Sequence, residues 1–145
     1  MVTNRNRFVL GSANKSFCGL YFLRGKFDID QEIDKVGWKN CYISEITVLE
    51  LKYGVELSKQ KDGINREPQL ERFLSTINIV PITGVLSLAA QEKIRLRLAG
   101  TPADDDFDLL IGCTSVVHRM TMVTDNTKDF KHFKGIMLTN WVKRP

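Results

Sequence analysis

Cysteine, proline and histidine are scarce in this sequence of 145 residues, which contains 3, 4 and 2 of them. The cysteines Cys18, Cys41 and Cys113 are far apart and form no CxxC pair, so the sequence predicts neither a disulfide framework nor a zinc site. We expect all three to be reduced and mostly buried. No apolar run approaches the roughly 18 residues of a membrane span, and no apolar signal-peptide core follows the N-terminus, so we expect a cytoplasmic protein without a membrane segment. No glycine-rich phosphate-binding pattern occurs, so nothing favours an ATP-binding protein.

The overall composition is typical of a soluble globular domain. Hydrophobic residues make up 43% and charged residues 26%, while only 10 glycines occur, so a disordered or collagen-like chain is excluded. A chain of this length can bury one hydrophobic core, and we expect a single domain over residues 1–145. The 21 Lys and Arg residues exceed the 17 Asp and Glu residues, which gives a net charge of +4 and mildly favours a polyanionic partner.

Hydrophobic periodicity predicts strands that alternate with helices. Strands are predicted at Arg7–Leu10, Cys41–Ile43, Asn78–Ile82, Met120–Val123 and Ile136–Leu138. Helices are predicted at Ser16–Arg24, Asp28–Val36, Glu45–Ser58, Arg66–Ile77, Gly84–Ala99 and from the acidic cluster Asp104–Asp108 through His118, with a single turn at Thr127–Phe130. This alternation predicts one α/β domain with a mainly parallel sheet.

The helix predicted from Glu45, capped by Ser44, carries the first candidate site residue. Four apolar residues recur on one side and predict its core-facing surface: Ile46, Leu49, Tyr53 and Leu57. Helical spacing places Glu50 on that side, one turn from both Ile46 and Tyr53. A buried carboxylate needs a cation or a hydrogen-bond donor. Glu50 therefore either serves a site in the interior or lies at the edge of the stripe beside a surface base such as Lys52.

The helix predicted at Gly84–Ala99 is amphipathic in the same way. Its apolar side is expected to face the core with Leu88, Ile94 and Leu98. Its charged side is expected to face solvent with Glu92, Lys93, Arg95 and Arg97.

Two further groups of acidic and amide residues adjoin apolar segments. Asp108 directly precedes the apolar run Leu109–Ile111, so we expect it at the buried start of a helix that Asp104 and Asp105 cap. The turn Thr124–Asn126 follows a predicted strand, and ligands of open α/β sheets bind at the carboxyl ends of strands. Asp and Asn also suit a turn for its geometry alone.

These candidates supply oxygen ligands but no histidine or cysteine. The set comprises Glu50, Asp108, Asp125 and Asn126, which suits Mg²⁺ or Mn²⁺ better than zinc. A divalent cation held in this way activates water and neutralises charge on a phosphodiester, which fits a basic protein with an anionic substrate. A metal-free protein whose acids only cap helices is the alternative. We expect both histidines, His118 and His132, at the surface.

Four segments of the chain are recognisable together, in order, over roughly residues 20–141. They are Ser44–Gly54, Asp106–Gly112, Met122–Phe130 and Gly135–Trp141. Together they resemble the PIN-domain ribonucleases, and within them the VapC-type toxins of bacterial toxin–antitoxin pairs.

The resemblance implies a fold, an activity and partners. The implied fold is a three-layer α/β/α arrangement around a mainly parallel sheet. The implied activity is that of a Mg²⁺- or Mn²⁺-dependent endoribonuclease that acts on RNA, often transfer RNA. The implied partners are a VapB-like antitoxin and a second copy in a homodimer. By resemblance, Glu50, Asp108 and Asn126 are catalytic metal ligands, with Asp125 and Asp129 beside them.

The sequence departs from the family pattern after its first strand. The family normally has an Asp-Thr-Asn or Asp-Ser-Asn triplet there, whose Asp is the central metal ligand. Alignment from Phe8–Leu10 places Gly11 at that Asp, and alignment backward from Phe22–Gly25 places Lys15 there. Neither residue is a carboxylate. Two interpretations follow: a ribonuclease toxin, or a catalytically inactive PIN module that binds antitoxin or RNA.

Overall fold

A computed structural model describes residues 6–11 and 29–141 of the chain. Its strands and helices are β1 (Phe8–Leu10), α1 (Ile29–Val36), β2 (Cys41–Ser44), α2 (Glu45–Lys61), α3 (Glu67–Thr76), β3 (Asn78–Val80), α4 (Leu86–Leu98), α5 (Asp106–Val117), β4 (Thr121–Val123) and β5 (Met137–Thr139). Short 3₁₀ turns occur at Trp38–Asn40, Thr83–Val85 and Thr127–Asp129. The helix predicted at Ser16–Arg24 lies outside the described residues, as do Lys15 and Cys18. No helix among the described residues is long and apolar enough to cross a membrane.

The five strands form one sheet in the order β3-β2-β1-β4-β5. Every pairing is parallel, with Leu10 opposite Val123 and Ser44 opposite Val80. The predicted α/β class with a parallel sheet is therefore confirmed. Because parallel strands point the same way, the residues that follow β1, β2 and β4 all lie along one edge of the sheet.

Helices cover both faces of the sheet. Successive strand residues point to opposite faces, so Leu10 joins one hydrophobic cluster and Val9 joins another. The first cluster contains Ile33 of α1, Leu51 of α2 and Phe73 of α3. The second contains residues of α4 and α5: Ala89, Leu96, Leu109, Ile111 and Cys113. This is the three-layer α/β/α arrangement that the family resemblance implies.

Two predicted caps start the helices that carry candidate site residues. Ser44 Oγ accepts a hydrogen bond of 3.1 Å from the Ile46 amide at the start of α2. Asp105 Oδ1 accepts one of 2.7 Å from the Phe107 amide at the start of α5. Both caps are confirmed. Helix α2 runs past the predicted end at Ser58 to Lys61 and stops just before Gly63, which has φ of 67°.

The prediction for the buried side of α2 is wrong. Leu49, Tyr53 and Leu57 are 54%, 57% and 38% exposed, and Ile46 is half-buried. The residues that face the interior are instead Thr47, Leu51, Val55 and Ser58. This helix is apolar on two sides, so its sequence pattern does not say which side the sheet will cover.

The prediction for α4 is wrong in a similar way. Ile94 is 54% exposed and Leu98 82% exposed, whereas Glu92 is only 7% exposed. Leu88 is partly buried against the core, and Lys93 and Arg97 face solvent as predicted. Glu92 can be buried because hydrogen bonds from two partners satisfy its carboxylate, as described below.

Gly11, directly after β1, packs against the backbone of β4. Its amide donates a hydrogen bond of 2.7 Å to the Val123 carbonyl oxygen. A Cβ atom at Gly11 would lie 2.6 Å from that same oxygen and 3.2 Å from the Thr124 side chain. Any side chain at this position therefore requires the end of β1 or β4 to move.

We expect Gly11→Ala to lower the free energy of unfolding by about 1–3 kcal/mol, because overpacking forces a backbone shift of this kind. Gly84→Ala is the matched control, since a Cβ atom there meets nothing within 4 Å. Urea unfolding followed by circular dichroism measures both. Equal stability of the two variants would contradict the close approach of β1 and β4.

Candidate active site

Asp108 lies in the first turn of α5 and lines a cavity of about 240 Å³. It is half-buried, and its Oδ1 atom is shielded from solvent. The polar residues that line the cavity with it are Thr101, Asp104, Asp105, Lys128, Asp129 and His132. Asp106 is exposed and forms an ion pair of 2.8 Å with Lys93. The structure thus places Asp108 at the partly buried start of a helix, as predicted.

The turn after β4 is connected to this cavity by one side-chain hydrogen bond. The Asn126 amide donates to Thr124 Oγ1 over 3.0 Å, which shapes the turn. The Asn126 side-chain amide donates to Asp129 Oδ2, and Asp129 lines the cavity. Asp125 is held differently, because its Oδ1 accepts a hydrogen bond of 3.2 Å from Asn140. The structure therefore links Asn126 to the cavity and ties Asp125 to the segment after β5.

Glu50 lies on α2, between the exposed Leu49 and the buried Leu51. It is half-buried, so it does not face open solvent, and α2 packs against α5. Glu50 is not among the residues that line the cavity beside Asp108. Its convergence with Asp108 and Asn126 on one metal ion stays a prediction.

The donor atoms available here match a hard cation in kind. Carboxylate and amide oxygens are the ligands that Mg²⁺ and Mn²⁺ prefer. In the described ranges, however, no group of three or more His, Cys, Asp or Glu residues could hold a metal ion. Gly11 adds no donor side chain, and the Val123 oxygen occupies the space that one would need. The described residues therefore offer the donor types that a divalent cation prefers, but no three of their acids are arranged to hold one.

Glu92 and Arg95 of α4 form a second polar cluster, which the sequence analysis missed. Glu92 accepts hydrogen bonds of 2.6 and 2.8 Å from Arg95 Nε and Nη2, and its Oε2 also accepts one of 2.8 Å from the Lys134 amide. Arg95 Nη2 donates a further bond of 2.6 Å to the His132 carbonyl oxygen. The hydrogen bond from Arg95 holds the pKa of Glu92 below its usual range, against the opposing effect of burial. A Glu followed three residues later by Arg was the available signal.

Two aromatic side chains anchor the same segment. Phe130 and Phe133 are buried, with ring centroids 5.6 Å apart. They pack on Gly112 of α5, where a Cβ atom would lie 2.7 Å from Phe133 Cε2. The absence of a side chain at Gly112 therefore allows the rings to contact the helix.

The histidines and the two described cysteines lie in positions that do not suggest a catalytic role. His132 is exposed, as predicted, whereas His118 is half-buried and its carbonyl oxygen accepts a hydrogen bond from Arg7. Cys41 and Cys113 are free and buried, and burial raises the pKa of each thiol to about 12. Neither is suited to act as a nucleophile, because the reactive form is the thiolate.

The Glu92 cluster predicts a pH-dependent contribution to stability. Because its pKa is lower in the folded chain, the ionised carboxylate stabilises the fold above the ordinary value of 4.5, and this contribution is lost as pH falls through the lowered folded-state pKa. We expect Glu92→Gln to lower stability at neutral pH by about 1 kcal/mol and to weaken its dependence on acid pH.

Urea unfolding at neutral pH and at about pH 3 measures this effect. Glu71→Gln, at an exposed position on α3, is the control and should keep the wild-type pH dependence. An identical pH dependence in Glu92→Gln and wild type would contradict the stabilising role of the ionised pair.

Comparison with known proteins agrees with this architecture. The family model described as PIN domain matches residues 20–136, beginning after β1 and Gly11. The chain belongs to the PIN-domain family. It is 33% identical over 102 residues to Ribonuclease VapC2 of Rickettsia felis, covering 70% of this chain and 74% of that protein. It is 27% identical over 120 residues to the tRNA(fMet)-specific endonuclease VapC of Shigella flexneri, covering 82% and 83%.

Solved structures show the same likeness. The crystal structure of VapBC2 from Rickettsia felis, bound to a DNA fragment from its promoter, matches with a TM-score of 0.78 at 26% identity, covering 92% of this chain and 98% of that one. DNA-bound VapBC from Salmonella typhimurium shares the fold with a TM-score of 0.77 at 23% identity, covering 93% and 98%. The family resemblance carried by the four sequence segments is confirmed.

Proposed function

We propose that this protein is a divalent-metal-dependent endoribonuclease and the toxin of a toxin–antitoxin pair, acting in the cytoplasm on RNA, with transfer RNA as a candidate target. The observation that carries the proposal is the placement of Asp108 at the partly buried start of α5, in a cavity that Lys128 and His132 also line. The identity of 33% to Ribonuclease VapC2 supports it.

The family resemblance gives each candidate residue a role in this proposal. Asp108, Glu50 and Asn126 would hold Mg²⁺ or Mn²⁺ through their oxygen atoms, with Asp125 nearby in the same turn. The cation, when bound, supplies a polarised water and neutralises charge on the phosphodiester. Lys128 and His132 line the cavity, where Lys128 would attract the phosphate backbone and His132 would donate a hydrogen bond to it.

The alternative is a catalytically inactive PIN module that binds RNA or antitoxin. It is favoured by Gly11 at the end of β1 and by the finding that no three acids among the described residues are arranged to hold a metal ion. Fewer carboxylates around a cation provide less charge attraction, so metal binding weakens and turnover falls with it.

RNA cleavage by the purified protein distinguishes the two functions. With bulk RNA and transfer RNA as substrates, we expect slow cleavage in Mg²⁺ and faster cleavage in Mn²⁺, which oxygen sites bind more tightly. Asp108→Asn should reduce the rate by at least about 100-fold, since even second-shell changes at metal sites cost 10–100-fold. Asp106→Asn is the matched control, because Asp106 is an exposed acid in the same turn.

Three results would contradict the expected ribonuclease activity at Asp108, and each has a different meaning. Cleavage that survives Asp108→Asn would place the nuclease site elsewhere. RNA binding without cleavage in either metal would establish the inactive module. Equal losses in Asp106→Asn and Asp108→Asn would show only a general effect of charge on α5.

A VapB-like antitoxin is the proposed protein partner. Three of the similar solved structures are VapBC complexes, and two of these three contain DNA. By analogy with these complexes, this chain would bind a protein of the VapB kind.

A second copy of the chain is the other proposed partner, and it would pack on the exposed side of α2. This side, the α2 apolar stripe, consists of Leu49, Tyr53 and Leu57. The helix has acidic Glu45 in its first turn and basic Lys61 in its last turn. Two α2 helices packed antiparallel across a two-fold axis would place these opposite charges together and cover both stripes.

We expect Leu49→Lys to convert a dimer into a monomer, because it places two charges in the two-fold contact. Ile94→Lys on α4 is the matched control, since Leu49 and Ile94 are both 54% exposed. Sedimentation velocity measures the oligomeric state. A monomeric wild-type protein, or dissociation by Ile94→Lys alone, would contradict an interface on α2.

A further inference from the structure

The segment between β4 and β5 is attached to α4 by a polar tether, which we define as the side chains of Glu92 and Arg95. Both carboxylate oxygens of Glu92 accept hydrogen bonds from Arg95. The same two side chains then reach the backbone of the segment, at the amide of Lys134 and the carbonyl oxygen of His132. A buried carboxylate and a guanidinium thus join two elements that are distant in sequence.

This segment supplies one wall of the cavity beside Asp108. Lys128 and Asp129 come from its 3₁₀ turn, and His132 follows after Phe130 and Lys131. Sheet pairing resumes only at β5, which begins at Met137. The position of the wall therefore depends on contacts with α4 and α5.

The tether and the aromatic anchor restrain the segment differently. Phe130 and Phe133 hold it against Gly112 by apolar contact, which has little directional preference. The hydrogen bonds of Glu92 and Arg95 are directional, and the planar guanidinium fixes two acceptors at once. The tether is therefore the contact that sets the orientation of the backbone at His132.

The charges of the cavity make that orientation important for an anionic ligand. Its acidic lining residues are Asp104, Asp105, Asp108 and Asp129. A phosphodiester that enters is repelled by these carboxylates and attracted by the ammonium group of Lys128, and the His132 imidazole can donate a hydrogen bond to it. RNA binding therefore depends on where this wall of the cavity places the side chains of Lys128 and His132.

We infer that Glu92 and Arg95 are positioning residues that hold Lys128 and His132 in place to bind the RNA backbone. The inference rests on the proposed function, because it takes RNA as the ligand. Neither residue of the tether touches RNA in this arrangement. Both act through the backbone of the segment.

The test compares Arg95→Ala with Arg97→Ala. Both variants remove one positive charge from α4, but Arg97 is an exposed residue outside the tether. Hydrogen exchange with mass spectrometry on peptides covering residues 130–136 reports the segment itself. Fluorescence anisotropy with a fluorescein-labelled single-stranded oligoribonucleotide, in a chelating buffer that prevents cleavage, reports RNA binding.

In Arg95→Ala we expect exchange in residues 130–136 to rise about tenfold and RNA affinity to fall about tenfold, since charge-assisted hydrogen bonds are lost. In Arg97→Ala both should stay within about twofold of wild type. Arg95→Lys keeps the charge and one hydrogen bond to Glu92, so it should give intermediate values. This variant also serves if Arg95→Ala does not fold.

Two results would overturn the inference in a protein that binds RNA. One is unchanged exchange in residues 130–136 of Arg95→Lys and Arg95→Ala, which would mean that the tether does not restrain the segment. The other is an affinity loss no larger than that of Arg97→Ala, which would mean that only net charge matters. If the wild-type protein does not bind the oligonucleotide, the proposed function is wrong, and the inference that rests on it is wrong as well. The exchange data would still show whether the tether restrains residues 130–136.

Discussion

The parallel pairing of β1 with β4 is the constraint on which the candidate site depends. It places Gly11 against the Val123 carbonyl oxygen and starts the turn Thr124–Asn126 at the same edge of the sheet. Because β2 pairs with the other side of β1, helix α2 also leaves from this edge. Asp108 reaches the region from a different direction, at the start of a helix that packs on both α2 and α4. The site is thus assembled by strand register and helix starts together.

The strands and the helix starts could be predicted from sequence because their signals are local. Ser44 and Asp105 are caps whose side chains bond an amide two residues away. Short apolar runs gave β1 and β4 to within a residue or two. The sides of α2 and α4 could not be predicted, because both helices are apolar on more than one side. Which side is buried depends on the packing of the sheet, a property that no single helix encodes.

Glu92 shows why the second polar cluster was also missed. A glutamate in a charged stretch of a helix normally faces solvent, and its neighbours Lys93 and Arg97 do so. Its burial depends on a backbone amide 42 residues further along the chain, at Lys134. Asp108 and Asn126 were recognisable from the apolar run and the strand that adjoin them and from the family pattern around them. The relation of Asn126 to Asp129, and through it to the cavity, became visible only in the folded chain.

The packing of Phe133 on Gly112 has a consequence for how this protein can evolve. A methyl group at Gly112 alone would collide with the Phe133 ring, and a smaller side chain at Phe133 alone would leave a void beside the helix. The two positions are therefore epistatic: a change tolerated on one genetic background is harmful on another. Homologues that carry a larger residue in place of Gly112 should carry a compensating change at Phe133 or Phe130. The order in which such substitutions arise limits the paths by which the wall of the cavity can diversify.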